Sequence, residues 1–309
     1  MDFSALSAEN DNQLTDALNQ RPVIGILSQD CPDYFIKYGK SYIASSYVKY
    51  IESAGARVVP IRIDLSKEEI QDLFKCINGV LFPGGGASLS DSGYLRTGKI
   101  IYDLALQAYD SGDRFPVWGT CLGFEMLNIL TSGLDDNQML DTCDEEIRCV
   151  PLDCTSDASQ SLMFSGPDSD EVKKILMRQN VAFNYHRFCV TTKRFRENTN
   201  AKFFKLLSTN KDKNGLEFIS TIEGNEYPIF GTQWHPEKLQ FEWTSSEPIN
   251  HSANAIRVGQ FMANFFVNQA RYNKHKFAST EEEEKALIYQ YDAIVTSQES
   301  SFQQCYFFE

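Results

Sequence analysis

The chain has 309 residues, with 29 basic against 42 acidic side chains and a formal charge of −13. That sign argues against a nucleic-acid partner, which needs a basic face to neutralise phosphate, and against docking on anionic membranes. At 42% hydrophobic the chain can bury a large core, yet it holds no run of about 18 apolar residues to span a bilayer.

Residues 1–20 are polar and without periodicity and read as a tail. Met1-Asp-Phe-Ser-Ala-Leu lacks the basic start and apolar stretch of a signal peptide, which fits a cytoplasmic chain or one whose leader has been removed or replaced. Val23–Leu27 has the pattern of a buried strand. Apolar residues at helical spacing (Ile43, Tyr47, Val48, Ile51) predict a helix from Tyr42 to Ala54, closed by Gly55. A second strand follows over Arg57–Ile63. Ser66-Lys-Glu-Glu69 is a capping box opening a helix to about Cys76. Gly79–Phe82 reads as a third strand ending in Pro83-Gly-Gly-Gly86. A helix from Tyr94 to Tyr109, a strand over Phe115–Trp118 and a helix from Leu122 to about Leu130 complete this half.

Strand alternating with helix implies a wound, mostly parallel α/β sheet with right-handed crossovers and helices on both faces. The second half adds strands at Phe203–Leu207, Leu216–Ile222 and Pro228–Thr232, then a helix over Asn254–Ala270. Residues 271–284, with the run Glu281–Glu284, read as a solvated connector. The aromatic tail from Ala286 is expected to pack back onto the body. The organisation is thus a tail (1–20), one body (21–275) and a C-terminal extension (276–309).

In parallel sheets, sites form beyond the carboxyl ends of strands, and two glycine-bearing junctions lie there. One is Pro83-Gly-Gly-Gly86; the other, Gly119-Thr-Cys-Leu-Gly123, has the form of a nucleophile elbow with Cys121 at its tip. Cys121 is either a buried cysteine between capping glycines or a reactive thiol. In the second case the helix behind it favours thiolate. The amide of Leu122 and one from Gly84, Gly85 or Gly86 could then hold an oxyanion. A thiol nucleophile needs a base and an orienter. His235 and Glu237, in Trp-His-Pro-Glu just past an apolar strand, point the same way if extended, so the carboxylate can orient the imidazole. His275 reads as solvated. His251 belongs to the glycosylation sequon Asn250-His-Ser252. Cys143, Cys149 and Cys154 suggest a local disulfide or plain buried thiols, and four histidines without ligand spacing give no zinc site.

Taken together, "FPVWGTCLGFE", "FGTQWHPEK", "RPVIGILSQ", "VLFPGGG", "FNYHRF" and "SSFQQCYFFE" resemble the gamma-glutamyl hydrolase family of the class I glutamine amidotransferase-like superfamily, over residues 21–309. The resemblance implies Cys121 as nucleophile, His235 as general base and acid, and Glu237 as third member. It also implies folate or antifolate poly-γ-glutamate substrates, a lysosomal or secreted setting, and a homodimer; thiol acyl transfer requires no cofactor or metal, so none is expected. His186 falls in a motif near the site and reads as a substrate contact or a structural histidine. Its neighbour Arg187 would face away. Glu125, four residues beyond Cys121, either receives the substrate's α-ammonium group or complements the helix N-terminus. An anionic substrate sits poorly with an acidic protein unless a local basic patch exists. Lys37, Lys40, Arg96 and Lys99 are candidates for one, or ordinary surface charge. The alternative function is a glutaminase passing ammonia to a partner synthase. A non-enzymatic binding module or thiol sensor would not need His235 and Glu237.

Overall fold

The computed structural model describes residues 18–309; most of the predicted tail lies outside that range. An eight-stranded sheet forms the centre. Its strands in chain order are β1 (Val23–Leu27), β4 (Arg57–Ile61), β5 (Gly79–Phe82), β6 (Val117–Thr120), β8 (Asp153–Cys154), β10 (Phe204–Lys211), β11 (Glu217–Gly224) and β12 (Ile229–Thr232). The spatial order is β4-β1-β5-β6-β12-β11-β10-β8. From β4 to β12 every pairing is parallel; β11, β10 and β8 run antiparallel.

Alternation along the parallel strands sorts side chains into two cores. Ile24, Ile26, Val58, Leu81 and Trp118 face one, Val23, Val59, Val80, Phe82 and Val117 the other. Both faces are covered, so these strands are apolar throughout. The first core is closed by α1 (Ser45–Ser53) and α7 (Ala253–Ala270). The second is closed by α2 (Lys67–Phe74), α3 (Gly93–Asp110) and α4 (Leu122–Ser132). The Ser66–Glu69 capping box is present in both directions.

Several predicted boundaries shift. Residues expected to start the first helix form strand β3 (Ser41–Ala44). It belongs to a four-stranded sheet with β2 (Gln29–Asp30), β13 (Ile294–Val295) and β14 (Gln304–Phe308). Strand β14, within the C-terminal stretch, pairs antiparallel to β3. The glutamate run is not a plain connector. It is the first turn of α8 (Thr280–Ala286), capped by Ser279 and closed by a Lys285–Glu281 pair of 2.6 Å. Acidic side chains there suit the positive helix end.

Among the elements that escape the sequence reading are α5 (Ser169–Arg178) and a two-stranded ribbon of β7 (Asp141–Val150) and β9 (Ala182–Cys189). All eight cysteines are free, so no disulfide links Cys143, Cys149 and Cys154. His275 is not solvated. It is partly buried, 2.7 Å from Asp113 and 2.8 Å from the Phe74 carbonyl. In the sequon, the Asn250 amide donates to the Asn180 carbonyl at 2.7 Å. No helix among the described residues is long and apolar enough to cross a membrane.

Candidate active site

Strand β6 delivers Cys121 to the carboxyl edge of the sheet, and α4 begins at the next residue. Its backbone lies at φ 52° and ψ −107°, a region costly for any side chain and common at functional turns. The flanking glycines make that turn possible. A Cβ on Gly119 would meet the Gly123 carbonyl at 2.6 Å, and one on Gly123 would meet the Phe82 carbonyl at 2.1 Å. The Cys121 amide is pinned by the Thr232 carbonyl at 2.8 Å, and Sγ lies 3.8 Å from the Tyr185 carbonyl.

His235 arrives from the turn after β12, its amide donating to the Phe183 carbonyl at 2.8 Å. Its Nδ1 stands 2.7 Å from Glu237 Oε1, with both side chains buried. A carboxylate there accepts a hydrogen bond from Nδ1–H and leaves Nε2 as the basic nitrogen. The pairing is the one expected, but the backbone is not extended. Glu237 has helical angles and caps the short helix α6 (Lys238–Phe241).

Gly84 sits where Cys121 and the His235 imidazole converge. A Cβ at that position would lie 3.0 Å from Cys121 Cβ, 2.8 Å from His235 Cε1 and 2.8 Å from the Tyr47 hydroxyl. The Gly84 amide donates to Tyr47 at 2.8 Å and the Gly86 amide to Gln29 Oε1 at 3.2 Å, while Gln29 Nε2 donates to the Gly84 carbonyl at 2.9 Å. Gly84 thus contributes space and not an oxyanion donor. Gly85 is exposed, and its amide has no hydrogen bond among the described residues.

A helix tip favouring thiolate is not the balance found. Burial pushes the Cys121 thiol well up, Glu125 and Glu237 add to this, and the Leu122 amide and Lys238 oppose it without winning. At rest Cys121 is therefore the neutral thiol. Glu125 is buried behind it, 3.0 Å from Gln233 Nε2; burial raises its carboxyl to about 8, so near neutrality it is a protonated acid. That weighs against a fixed negative charge serving either an ammonium group or the helix end.

His186 is buried, and burial lowers it to about 4, against the pull of the Phe188 carbonyl. Nδ1 lies 2.8 Å from that carbonyl and Nε2 3.3 Å from Asn184 Oδ1, so both nitrogens already have protein partners. Arg187 faces away and pairs with Glu146.

Sequence reasoning missed Tyr47, Gln29 and Lys238. Tyr47 reads as one more apolar position of its helix, and its hydroxyl, 3.4 Å from His235 Nδ1, shows itself only in three dimensions. Lys238 is the cation at the site. It is buried with Glu247 at 2.8 Å and lies 5.2 Å, 5.4 Å and 5.4 Å from the ring centres of Phe183, Tyr185 and Phe302. Of the surface candidates, Lys37 is spent on Glu299 at 2.6 Å, Lys99 on Asp103 at 3.2 Å, and Arg96 on the Asp91 carbonyl at 2.8 Å. Two surface cavities of about 680 and 640 Å³ are not lined by Cys121, His235 or Glu237.

The Peptidase C26 family profile matches residues 22–237. Gamma-glutamyl hydrolase of Homo sapiens is 48% identical over 292 residues, covering 94% of this chain and 90% of that protein. Gamma-glutamyl hydrolase B of Dictyostelium discoideum is 40% identical, covering 96% and 85%. Gamma-glutamyl hydrolase 1 of Arabidopsis thaliana is 36% identical, covering 89% and 78%. Among solved structures, the glutaminase domain of Trypanosoma brucei CTPS with bound acivicin superposes with a TM-score of 0.55 over 83% of this chain and 96% of that one. At 13% identity that likeness speaks for the class I glutamine amidotransferase-like fold.

Proposed function

The chain belongs to the gamma-glutamyl hydrolase family, peptidase C26, and from that membership and the surroundings of Cys121 we propose cysteine-dependent hydrolysis of γ-glutamyl bonds in folate and antifolate poly-γ-glutamates. The observation that carries this reading is Gly84, which abuts the nucleophile's Cβ and the imidazole at once while Glu237 holds the imidazole's far nitrogen.

Because the thiol is neutral at rest, His235 Nε2 takes its proton as the sulfur attacks the γ-carbonyl. The tetrahedral oxyanion rests on the amides of Leu122 and Gly85. Collapse to a γ-glutamyl thioester releases the amine of the departing glutamate, protonated by His235. The same imidazole then activates water to free the enzyme. Glu237 keeps the proton on Nδ1 throughout and stabilises the imidazolium. Lys238, though buried, places a positive charge that acts on Cys121, and burial keeps Glu125 and His186 neutral near neutral pH. By the same kinship we place the protein in a lysosomal or secreted setting as a homodimer, which cell fractionation and light scattering test. Acid would also relieve repulsion between an anionic tail and an acidic surface.

The decisive experiment incubates a poly-γ-glutamyl folate with native protein and with Cys121→Ala at acidic and neutral pH. Cleavage should vanish in the variant while fold and binding persist. Turnover equal to native would sink the mechanism. Ammonia released from glutamine, rising with a partner protein, would favour a glutaminase instead.

A further inference from the structure

Cys143 on β7 and Cys189 on β9 are nucleophiles that the chemistry above does not use. With Phe218 they form a small buried cluster apart from the two main cores. The neighbouring Cys189, together with burial, pushes the Cys143 thiol far above the ordinary thiol range. Cys143 Sγ is also 3.5 Å from His186 Nδ1. Other sulfurs turn to oxygen: Cys149 to the Pro248 carbonyl at 3.3 Å, and Cys76 to the Asp72 carbonyl at 3.3 Å. Among the described residues no group of three or more His, Cys, Asp or Glu is arranged to hold a metal ion. The chemistry open to the pair is therefore redox chemistry.

The strands that carry the two thiols need a tie. β7 and β9 pair only with each other, and their register slips between Thr142 and Glu145 and again between Glu145 and Arg148. A two-stranded ribbon is marginal by itself. Yet β9 is a wall of the site: the Tyr185 carbonyl faces the Cys121 sulfur and the Phe183 carbonyl holds the His235 amide.

We propose that Cys143 and Cys189 are a disulfide-forming pair that locks β7 onto β9 and thereby fixes the wall of the active site. The oxidant is a small-molecule disulfide. One cysteine thiolate attacks it, expelling one small thiolate and leaving a mixed disulfide. The second cysteine thiolate then attacks the protein sulfur of that mixed disulfide and expels the other. Two protein thiols lose two protons and two electrons, and the small disulfide is reduced to two thiols. Buried thiols with raised pKa react slowly, so the bond forms during folding or from an opened ribbon.

The test refolds native protein in glutathione with glutathione disulfide, blocks free thiols, and reads intact mass, peptide linkage and Tm. The expected product is lighter by two hydrogens, carries a peptide pair joining residues 143 and 189, and melts roughly 5 °C above the reduced form. Cys189→Ser should show neither the mass loss nor the gain in Tm. Both thiols alkylated after refolding, a lasting glutathione adduct on either, or a link from Cys143 to Cys149 or Cys154 would each overturn the proposal. None of these readouts depends on Cys121, so the pairing stands or falls apart from the proposed catalysis.

Discussion

Gly84→Ala places one methyl group where Cys121, His235 and Tyr47 converge. The new Cβ would stand 3.0 Å from Cys121 Cβ, 2.8 Å from His235 Cε1 and 2.8 Å from the Tyr47 hydroxyl. Ordinary contact needs about 3.5–4.0 Å, so each neighbour must retreat by roughly 0.5–1 Å. Overpacking of this kind costs about 1–3 kcal/mol of stability. The larger effect is on rate, because a displacement of about 1 Å at the reacting groups costs on the order of 100-fold. We expect kcat/KM on a poly-γ-glutamyl folate to fall by that factor, carried by kcat, with the fold retained by circular dichroism. Gly86→Ala is the matched control, since a Cβ there meets nothing within 4 Å; it should stay within about twofold of native. If Gly84→Ala also stays within twofold, the nucleophile and base are not wedged against this loop and the proposed geometry fails.

Further substitutions probe the buried ionisable groups. Glu125 is raised to about 8 by burial from an ordinary value of 4.5, so the folded state holds its proton where the unfolded state releases it. Its contribution to stability is full below about pH 4.5 and is lost as pH climbs towards 8. Glu125→Gln should flatten that part of the decline in urea midpoint, and parallel native and variant curves over this range would contradict the assignment. Lys238→Met leaves Glu247 buried without its partner, which should cost about 3–5 kcal/mol. Adding Glu247→Gln should restore most of it, and a single variant as stable as native in denaturant would show the pair to be energetically idle.

What the sequence revealed follows from how far each interaction reaches along the chain. The parallel strands are sealed on both faces, so Val23–Leu27 and Gly79–Phe82 announce themselves as apolar runs. β7 pairs with a single neighbour and carries Asp141, Asp144, Glu145, Glu146 and Arg148, which erase any alternation. β3 exists because β14 lies beside it, and no local signal separates it from the helix that follows. The site divides in the same way. Cys121, His235 and Glu237 sit in compact motifs whose chemistry is readable from spacing. Tyr47 and Lys238 draw their importance from what surrounds them, and neither the thiol's burial nor the Gly84–Tyr47 bond leaves a mark in composition.

The pairing of β14 with β3 also sets an order of events during translation. β3 leaves the ribosome early and runs straight into the helix bearing Tyr47, whereas β14 is the last of the described elements to emerge. Until then β3 presents an unzipped edge open to stray partners, which is where a chaperone would earn its keep. A nascent polypeptide halted before Gln304 already contains Cys121, His235 and Glu237, but the hydroxyl that steadies the glycine loop has no settled perch. Catalytic competence should therefore switch on late in biogenesis, well after the reactive side chains themselves have been made.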